Sequence, residues 1–348
     1  NKYWKYIIII FSSFFYGYWD PKFLILLYFV IFSTYASSTL IFNYKSKKIL
    51  IFQISIIILI LCVFKYFNFF TTELEKNFNL DYNESFKQLI NKIILPIGIS
   101  FYSFQCISYL VDTFKGQKPP KFIDFFFFII FFPQIIAGPI LRSKQFLPQI
   151  KEKLIINKKN IKKNLILILW GYFLKIGLAD NLALYVDRHL NEPQYSNGIS
   201  SFISVFFYSF QIYGDFCGYS LIAIGISKLF GFNIPANFNN PYFTNSFKNF
   251  WQRWHISLSS FIKDYLYIPL GGNKINSMRT YSNIIVSMSI AGLWHGASIF
   301  FIIWGLLHGF YLVFEKNYKK YFHPFLYKIL VLFLIMMAWI PFRVNNQE

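Results

Sequence analysis

Two histidines of this sequence lie where a polar side chain could take part in chemistry. His255 ends the run "FWQRWH", and His295 lies among small residues in "AGLWHGAS". Histidine suits general base catalysis because its neutral ring accepts a proton near pH 7. In a water-poor cavity such a base can activate a hydroxyl group. Acyl transfer from a thioester to an alcohol requires that step.

His295 has the stronger claim because it lies inside an apolar segment. An ionisable group at membrane depth is costly and indicates a functional site by default. Ala291, Gly292 and Gly296 allow close helix packing or leave room for a ligand. The alternative is a histidine bonded to a neighbouring helix. His308 is predicted to be structural, because bulky residues precede it in the same apolar region.

Three further polar side chains are candidates for binding. Asp215 lies near the middle of the apolar segment 199–230, where it could orient a histidine, accept a proton or pair with a lysine. Arg253 and Lys263 are basic side chains that could bind phosphate groups. The alternative for His255 and Arg253 is that both are interfacial anchors beside a tryptophan belt.

The composition predicts a polytopic α-helical membrane protein. The chain of 348 residues is 55% hydrophobic and 14% charged, whereas soluble domains are about one quarter charged. Its net charge of +19 comes from short loops such as "YKSKK" and "KGQKPPK" between apolar segments. That is the positive-inside pattern. The charge therefore does not indicate nucleic-acid binding.

A helical span needs about 20 predominantly apolar residues to cross the hydrocarbon. The stretch "FFPQIIAGPIL" is predicted to be re-entrant, because its prolines break a helix and a full crossing would place the basic loop 142–163 outside. Segment 281–313 is too long for one span, so it is a tilted helix or a hairpin broken near "LWHGAS". The predicted segments are 3–19, 22–42, 49–70, 89–113, 122–140, 164–186, 199–230, 281–313 and 322–342.

Segment 249–268 is predicted to be an amphipathic helix rather than a span. Its apolar residues recur with the helical period, and its other face is polar. Asn245 or Ser246 could cap its start, and Pro269 with the following Gly-Gly pair ends it. At about 100° per residue, His255 falls on the border between the two faces.

Several functions have no support in the sequence. It contains no P-loop, no dinucleotide-binding glycine pattern, no serine-hydrolase elbow and no H-E-x-x-H. The three cysteines, Cys62, Cys106 and Cys217, lie in apolar segments without metal-ligand spacing and are predicted to be small buried hydrophobes. No metal and no tightly bound cofactor are expected.

The sequence resembles the membrane-bound O-acyltransferase superfamily, in particular its bacterial polysaccharide O-acetyltransferase branch. The matching motifs are "FWQRWHISLSSFIKDYLYIPLGGNK", "AGLWHGAS", "LPIGISFYSFQCISYLVD", "FFPQIIAGPILR", "GYFLKIGLADNL" and "NFNNPYFTNSF". The resemblance implies a ring of transmembrane helices around a funnel, with re-entrant and interfacial helices. It covers nearly the whole chain, read here as one membrane domain over 1–348. The family has further segments at both ends, so the resemblance implies missing N-terminal and C-terminal helices.

The resemblance also implies an activity and a site. The activity is acetyl transfer from cytoplasmic acetyl-CoA toward a sugar hydroxyl outside the bacterial inner membrane, often completed by a periplasmic partner resembling a serine esterase. Peptidoglycan is the expected acceptor, with alginate as the alternative. The catalytic histidine corresponds to His295, and the second histidine to His255. The matching motifs contribute the expected binding residues Trp251, Arg253, Trp254, Lys263, Asp264, Tyr265, Trp294, Gly296 and Asp215.

The sequence departs from the branch at three positions. Cys217 and Leu221 stand where many relatives have a serine and an acid, and Lys263 stands where they usually have an arginine. Two other classes of function stay open. One is a conduit that passes an acetyl group without chemistry of its own, and the other is a scaffold that recruits the periplasmic partner. The many internal polar groups speak against the scaffold.

Overall fold

The computed structural model of the chain describes residues 3–78, 82–136, 138–151, 160–192, 194 and 197–344. Within these ranges the regular secondary structure is helical and contains no strand. The predicted all-α fold class is therefore confirmed. The chain divides into two compact units, Asn1–Ile155 and Ile156–Glu348. The single membrane domain over 1–348 stays a prediction.

The first unit is built from long apolar helices followed by short ones. Asp20 caps α2, because its carboxylate accepts a hydrogen bond from the Lys22 N–H at 2.8 Å and Pro21 is the first helical residue. The helices are α1 (Trp4–Gly17), α2 (Pro21–Tyr44), α3 (Lys47–Phe78), α4 (Glu84–Asn91), α5 (Ile99–Phe114), α6 (Phe122–Ile130), α7 (Phe132–Ile135) and α8 (Ser143–Lys151).

Of two predicted segments of this unit, one is wrong and the other is interrupted as predicted. The continuous span over 89–113 is wrong, because α4 ends at Asn91 and the chain then passes through Pro96 and Gly98 before α5 begins. Gly98 has φ 73°, which a residue with a side chain rarely adopts. Segment 122–140 is broken as predicted, since α6 and α7 are separated and irregular chain follows. Its re-entrant path stays a prediction.

The second unit contains the two candidate histidines. Two helical stretches in it have π geometry, Phe173–Ala179 and Lys263–Tyr267. The α-helices are α9 (Ile161–Tyr172), α10 (Asp180–Asn191), α11 (Gly198–Leu229), α12 (Phe247–Trp251), α13 (Ile256–Ile262), α14 (Ser277–His295), α15 (Ile299–Tyr318), α16 (Pro324–Met337) and α17 (Trp339–Val344).

The apolar segments of the second unit form helices as predicted. Helix α11 runs without a break from Gly198 to Leu229 and covers all but the last residue of 199–230, and α9, the first π stretch and α10 run continuously through 164–186. The long segment 281–313 is the predicted hairpin, because α14 ends at His295 and α15 begins at Ile299. The broken connection thus places a histidine at the end of a helix.

Several helices are long and apolar enough to cross a membrane. Among the described residues there are five, and α1 is a shorter apolar helix of Trp4–Gly17. A multi-pass membrane protein follows from their number and length. The five are Pro21–Tyr44, Lys47–Phe78, Ile161–Leu190, Ile299–Tyr321 and Pro324–Val344.

Candidate active site

The short helix α12 is fixed at its start by two side chains. Ser246 caps it as predicted, since its hydroxyl accepts a hydrogen bond from the Asn249 N–H at 3.0 Å. The Glu315 carboxylate on α15 accepts from the Phe247 N–H at 2.5 Å and from the Lys248 N–H at 3.3 Å. A negative charge at a helix N-terminus is favourable. These bonds hold α12 against α15.

The chain does not continue as one amphipathic helix over 249–268, so that prediction is wrong. Helix α12 ends at Trp251, a turn follows, and α13 begins at Ile256. His255 closes the turn with φ 41° and ψ 56°, the left-handed region. That conformation is uncommon for a residue with a side chain and often marks a functional site. Downstream, the predicted stop is confirmed by the turn at Gly271 and Gly272.

His255 is fully buried, with 1% of its surface exposed. Its Nδ1 lies 3.1 Å from Oδ1 of Asn237, and its ring contacts Phe216 edge-on with centroids 4.6 Å apart. Burial, and then the nearby His295, lower the pKa of His255 well below its usual value. His255 is therefore a neutral ring at pH 7. A helical border position at the interface, as predicted, would have left it partly in contact with water.

His295 is only half-buried, although the sequence predicted a buried residue. It is the last residue of α14, and its ring packs edge-on against Trp304 and Phe342 with centroids 5.1 Å away in each case. The hairpin break explains its exposure, because the chain leaves the helix directly after it. His295 is thus the more accessible of the two histidines.

Trp294 connects the two histidines. Its ring centroid lies 5.8 Å from that of His255 and 5.0 Å from that of His295. The next residue, Gly296, gives Phe301 room, because a Cβ at position 296 would lie 2.1 Å from the Phe301 ring. The predicted residues Trp294, His295 and Gly296 therefore come together beside His255.

The predicted tryptophans Trp251 and Trp254 belong to an aromatic cluster with Trp304, His308 and Trp339. Trp251 packs against Trp304 at 5.6 Å and His308 at 5.0 Å between centroids. Trp254 packs against Trp339 at 4.9 Å. His308 is fully buried in this cluster, so it lies in the packed environment that the sequence indicated. Both tryptophans are buried in this cluster.

The remaining predicted binding residues lie in the turn before His255, in the second π stretch and in α11. Arg253 is half-buried in the turn before His255, while the exposed Lys263 begins the second π stretch. Asp264 and Tyr265 follow Lys263 in the same stretch and are half-buried. Of the alternatives for Asp215, the structure shows pairing with a lysine: Lys175 lies 2.7 Å from its carboxylate and also pairs with Asp180.

Three residues of the site were not singled out from the sequence. Asn237 was present only as the first letter of the motif "NFNNPYFTNSF", and Trp304 and Phe342 were ordinary members of apolar segments. Only a buried polar side chain needs a specific partner. Asn237 could thus have been suspected from its motif, whereas the aromatic residues carried no signal.

A metal centre finds no support in the part of the chain that the structure describes. No group of three histidine, cysteine or acidic side chains there could hold a metal ion. Cys106 and Cys217 are buried and Cys62 is half-buried. The prediction of buried hydrophobes is confirmed for the first two.

The comparisons with known proteins identify the family of the chain. A model of the membrane-bound O-acyltransferase family matches residues 6–340. The chain is 37% identical to the peptidoglycan O-acetyltransferase of Helicobacter pylori, over 98% of this chain and 71% of that protein. It is 34% identical to the probable alginate O-acetylase of Pseudomonas aeruginosa, over 100% and 68%. A teichoic acid D-alanyltransferase of Streptococcus thermophilus is 30% identical over 64% of this chain and 57% of the relative.

Proposed function

Because the chain belongs to the membrane-bound O-acyltransferase family, we propose that it moves an acetyl group from acetyl-CoA toward hydroxyl groups of an extracytoplasmic polysaccharide. Peptidoglycan is the proposed acceptor, and the relative from Helicobacter pylori supports this choice. Alginate or another exopolysaccharide is the alternative, supported by the relative from Pseudomonas aeruginosa. The proposed location is the bacterial inner membrane.

The observation that supports the proposal is the pair of histidines on either side of Trp294. One ring is held neutral inside the protein, and the other is half-exposed at the end of α14. Neutral imidazole is a proton acceptor suited to acyl transfer near pH 7. Trp304 and Phe342 pack edge-on against the His295 ring and hold it in place.

The proposed reaction needs one base. A ring nitrogen of His295 takes the proton of the acceptor hydroxyl while the hydroxyl oxygen attacks the acetyl carbonyl. The tetrahedral intermediate collapses, the carbon–sulfur bond breaks, and the thiolate of coenzyme A leaves and takes a proton. His255 assists His295 in this step or orients it. The acceptor hydroxyl belongs to the sugar or to a serine of a periplasmic partner that completes the transfer.

The first test measures acetylation of cell-wall glycan by mass spectrometry. Cells that carry the wild-type gene should show acetylated glycan, and cells that lack it should not. His295→Ala should lower acetylation by roughly 10²- to 10⁴-fold, the usual contribution of a general base. His323→Ala is the matched control, since His323 is an exposed histidine before α16. Unchanged acetylation in a well-expressed His295→Ala protein would contradict the proposal.

A conduit without chemistry of its own is the competing function. Its specific support is the charged group in which Lys175 and Asp180, on the candidate span Ile161–Leu190, pair with Asp215 on α11. Purified protein mixed with acetyl-CoA separates the two functions. Thioester cleavage, or a label on a histidine or on the partner, supports the enzyme. Transport that persists in His295→Ala without any cleavage supports the conduit.

The donor is proposed to be bound by basic side chains near the site. Lys263 is exposed and Arg253 half-exposed, so both can reach the phosphates of coenzyme A. Lys263→Ala should weaken coenzyme A binding by about 3- to 10-fold, the effect of losing one charge-assisted hydrogen bond at an exposed position. Lys274→Ala, at another exposed lysine, is the control. Equal affinities of wild type and Lys263→Ala, measured by calorimetry, would remove Lys263 from the donor site.

A further inference from the structure

The buried side chain of Asn237 determines what His255 can do in the reaction. We propose that Asn237 is a positioning residue that fixes His255 as the tautomer with hydrogen on Nδ1, so that Nε2 is a dedicated hydrogen-bond acceptor. This inference rests on the proposed acetyl transfer for its catalytic meaning. The tautomer itself can be measured without any activity.

The orientation of the Asn237 amide follows from its neighbours. Its Oδ1 lies 3.2 Å from the Ser257 N–H and 2.9 Å from the Ser257 hydroxyl. A backbone N–H can only donate, so the atom facing it is the amide oxygen and not the nitrogen. The amide nitrogen then donates to the Ser220 hydroxyl at 3.3 Å. Asn237 is 1% exposed, so water does not compete for these bonds.

The orientation of the amide fixes the proton of His255. The same Oδ1 lies 3.1 Å from Nδ1 of His255. An amide oxygen carries no hydrogen, so Nδ1 must supply the hydrogen of this bond. Neutral imidazole has a single N–H group, which leaves Nε2 with a lone pair. Among the described residues no atom is hydrogen-bonded to Nε2, which is also buried.

The backbone holds His255 in place around the same residue. The Asn237 carbonyl accepts a hydrogen bond from the Ile256 N–H at 2.9 Å, and the Asn239 N–H donates to the Arg253 carbonyl at 3.0 Å. These two bonds bracket the left-handed turn at His255. A strained backbone persists where its surroundings over-determine it. Asn237 thus fixes both the backbone and the ring of His255.

The tautomer of His255 gives the two histidines different roles in the proposed reaction. A neutral His255 with hydrogen on Nδ1 cannot donate to a developing oxyanion from Nε2, because that nitrogen has no hydrogen. It can accept a hydrogen bond from the acceptor hydroxyl. His255 therefore assists proton removal rather than stabilising the oxyanion.

The groups that face His255 set the expected pH behaviour. From α14, the neighbouring titratable group is His295, whose positive charge disfavours protonation of His255. From α11, the ring in contact is Phe216, and the adjacent Asp215 is already paired with Lys175. From the 237–239 segment the contact is the uncharged Asn237. A carboxylate at position 237 would add a negative charge directly against Nδ1.

The first experiment reads the tautomer directly. Protein with ¹⁵N-labelled histidine is purified in detergent, and the ring nitrogens of its five histidines are observed by NMR. The His255 signals are identified by their disappearance in His255→Asn. We expect hydrogen on Nδ1 and none on Nε2 near pH 7. Hydrogen on Nε2 would overturn the proposal, whether or not the protein transfers acetyl groups.

The second experiment follows the ring nitrogens of His255 by NMR against pH, together with the rate of acetyl transfer. Asn237→Asp keeps the shape and the acceptor oxygen, but its charge stabilises the protonated His255. The pH at which the His255 ring takes up its second proton should move upward by about 1 to 3 pH units, as expected for an adjacent opposite charge. Ser220→Ala, which loses only the bond to the amide nitrogen, should leave that pH unchanged. Asn237→Leu should lower kcat by about 10- to 100-fold with KM unchanged, the usual effect of losing a supporting partner.

A final comparison separates a positioning role from a merely structural one. In a His255→Asn background, Asn237→Leu should lower kcat no further, because the ring that Asn237 positions is gone. A further loss of kcat there, or an Asn237→Asp titration of His255 equal to that of the wild type, would overturn the proposal. Absence of acetyl transfer in the wild-type protein would instead contradict the proposed function and leave the NMR result standing.

Discussion

His255 and His295 lie on either side of one tryptophan, yet the protein holds them by different means. His255 is fixed by hydrogen bonds, sits in a left-handed turn and is 1% exposed. His295 ends a regular helix, is half-exposed and is held by aromatic packing. The buried ring has one defined protonation state, while the accessible ring can meet a substrate. The difference teaches that two histidines close in space can have separate tasks.

The contacts that hold His255 and His295 also differ in which substitutions they tolerate. Hydrogen bonds to Asn237 have a direction and fail if either partner changes. Packing around His295 depends on volume, and Gly296 is its tightest point. Substitutions near His255 should therefore alter protonation and stability, whereas substitutions near His295 should alter geometry and rate.

The largest expected effect separates the two residues by activity and stability. His295→Ala should lower the transfer rate by roughly 10²- to 10⁴-fold, with a change in unfolding free energy of about 0.5 kcal/mol or less, since the residue is half-exposed. His255→Ala should lower the rate and also destabilise the protein by about 2 to 4 kcal/mol, because buried partners lose their bond and a cavity forms. Rate assays and thermal unfolding in detergent measure both. If His295→Ala destabilised the protein more than His255→Ala does, the comparison between the two residues would be reversed.

A smaller effect is expected where the His295 packing is tightest. Gly296→Ala places a Cβ 2.1 Å from the Phe301 ring, and such overpacking costs about 1 to 3 kcal/mol. The displaced ring should lower the transfer rate by about tenfold, and Phe301→Leu in the same protein should restore part of both losses. Gly198→Ala is the control, since a Cβ there would meet nothing within 4 Å. No recovery in the double variant would show that Phe301 is not the cause.

The smallest expected effect is a pH dependence of stability that comes from His255. Burial lowers the folded pKa of His255 below its unfolded value of 6.5, so the unfolded state binds the proton first. Its contribution is complete above about pH 6.5 and is lost as the pH falls below that value, by up to about 1.4 kcal/mol per pH unit. His255→Asn should flatten thermal stability between pH 6.5 and 5.5. An equal slope in that variant would assign the acid sensitivity to other groups.

Most of the helices could be predicted from the sequence, while their interruptions could not. Segments such as 22–42 and 199–230 became helices because apolar length and hydrogen bonding within a segment are local properties. The prediction of one span over 89–113 is wrong because Pro96 and Gly98 interrupt the helix there. In the sequence, the long apolar run outweighed the helix-breaking effect of these two residues. The amphipathic period over 249–268 concealed the turn at His255, because that turn is stabilised by residues outside the segment.

The candidate site shows the same limit. Both histidines and their small or aromatic neighbours were recognisable from residue types. The supporting residues were not, because Asn237 lies 18 positions from His255 in the chain and meets it only after folding. Trp304 and Phe342 likewise reach His295 from other helices.

The sequence by itself determined a multi-pass all-α membrane acyltransferase with two histidines as candidates for its chemistry. Apolar length, charge distribution and motifs are carried by neighbouring residues, so they can be read before folding. Only the tertiary structure decided that His255 is buried in a strained turn, that His295 is the accessible ring, and that Asn237 faces Nδ1. Burial and hydrogen-bond direction depend on which distant segments meet, and those contacts exist only in the folded chain.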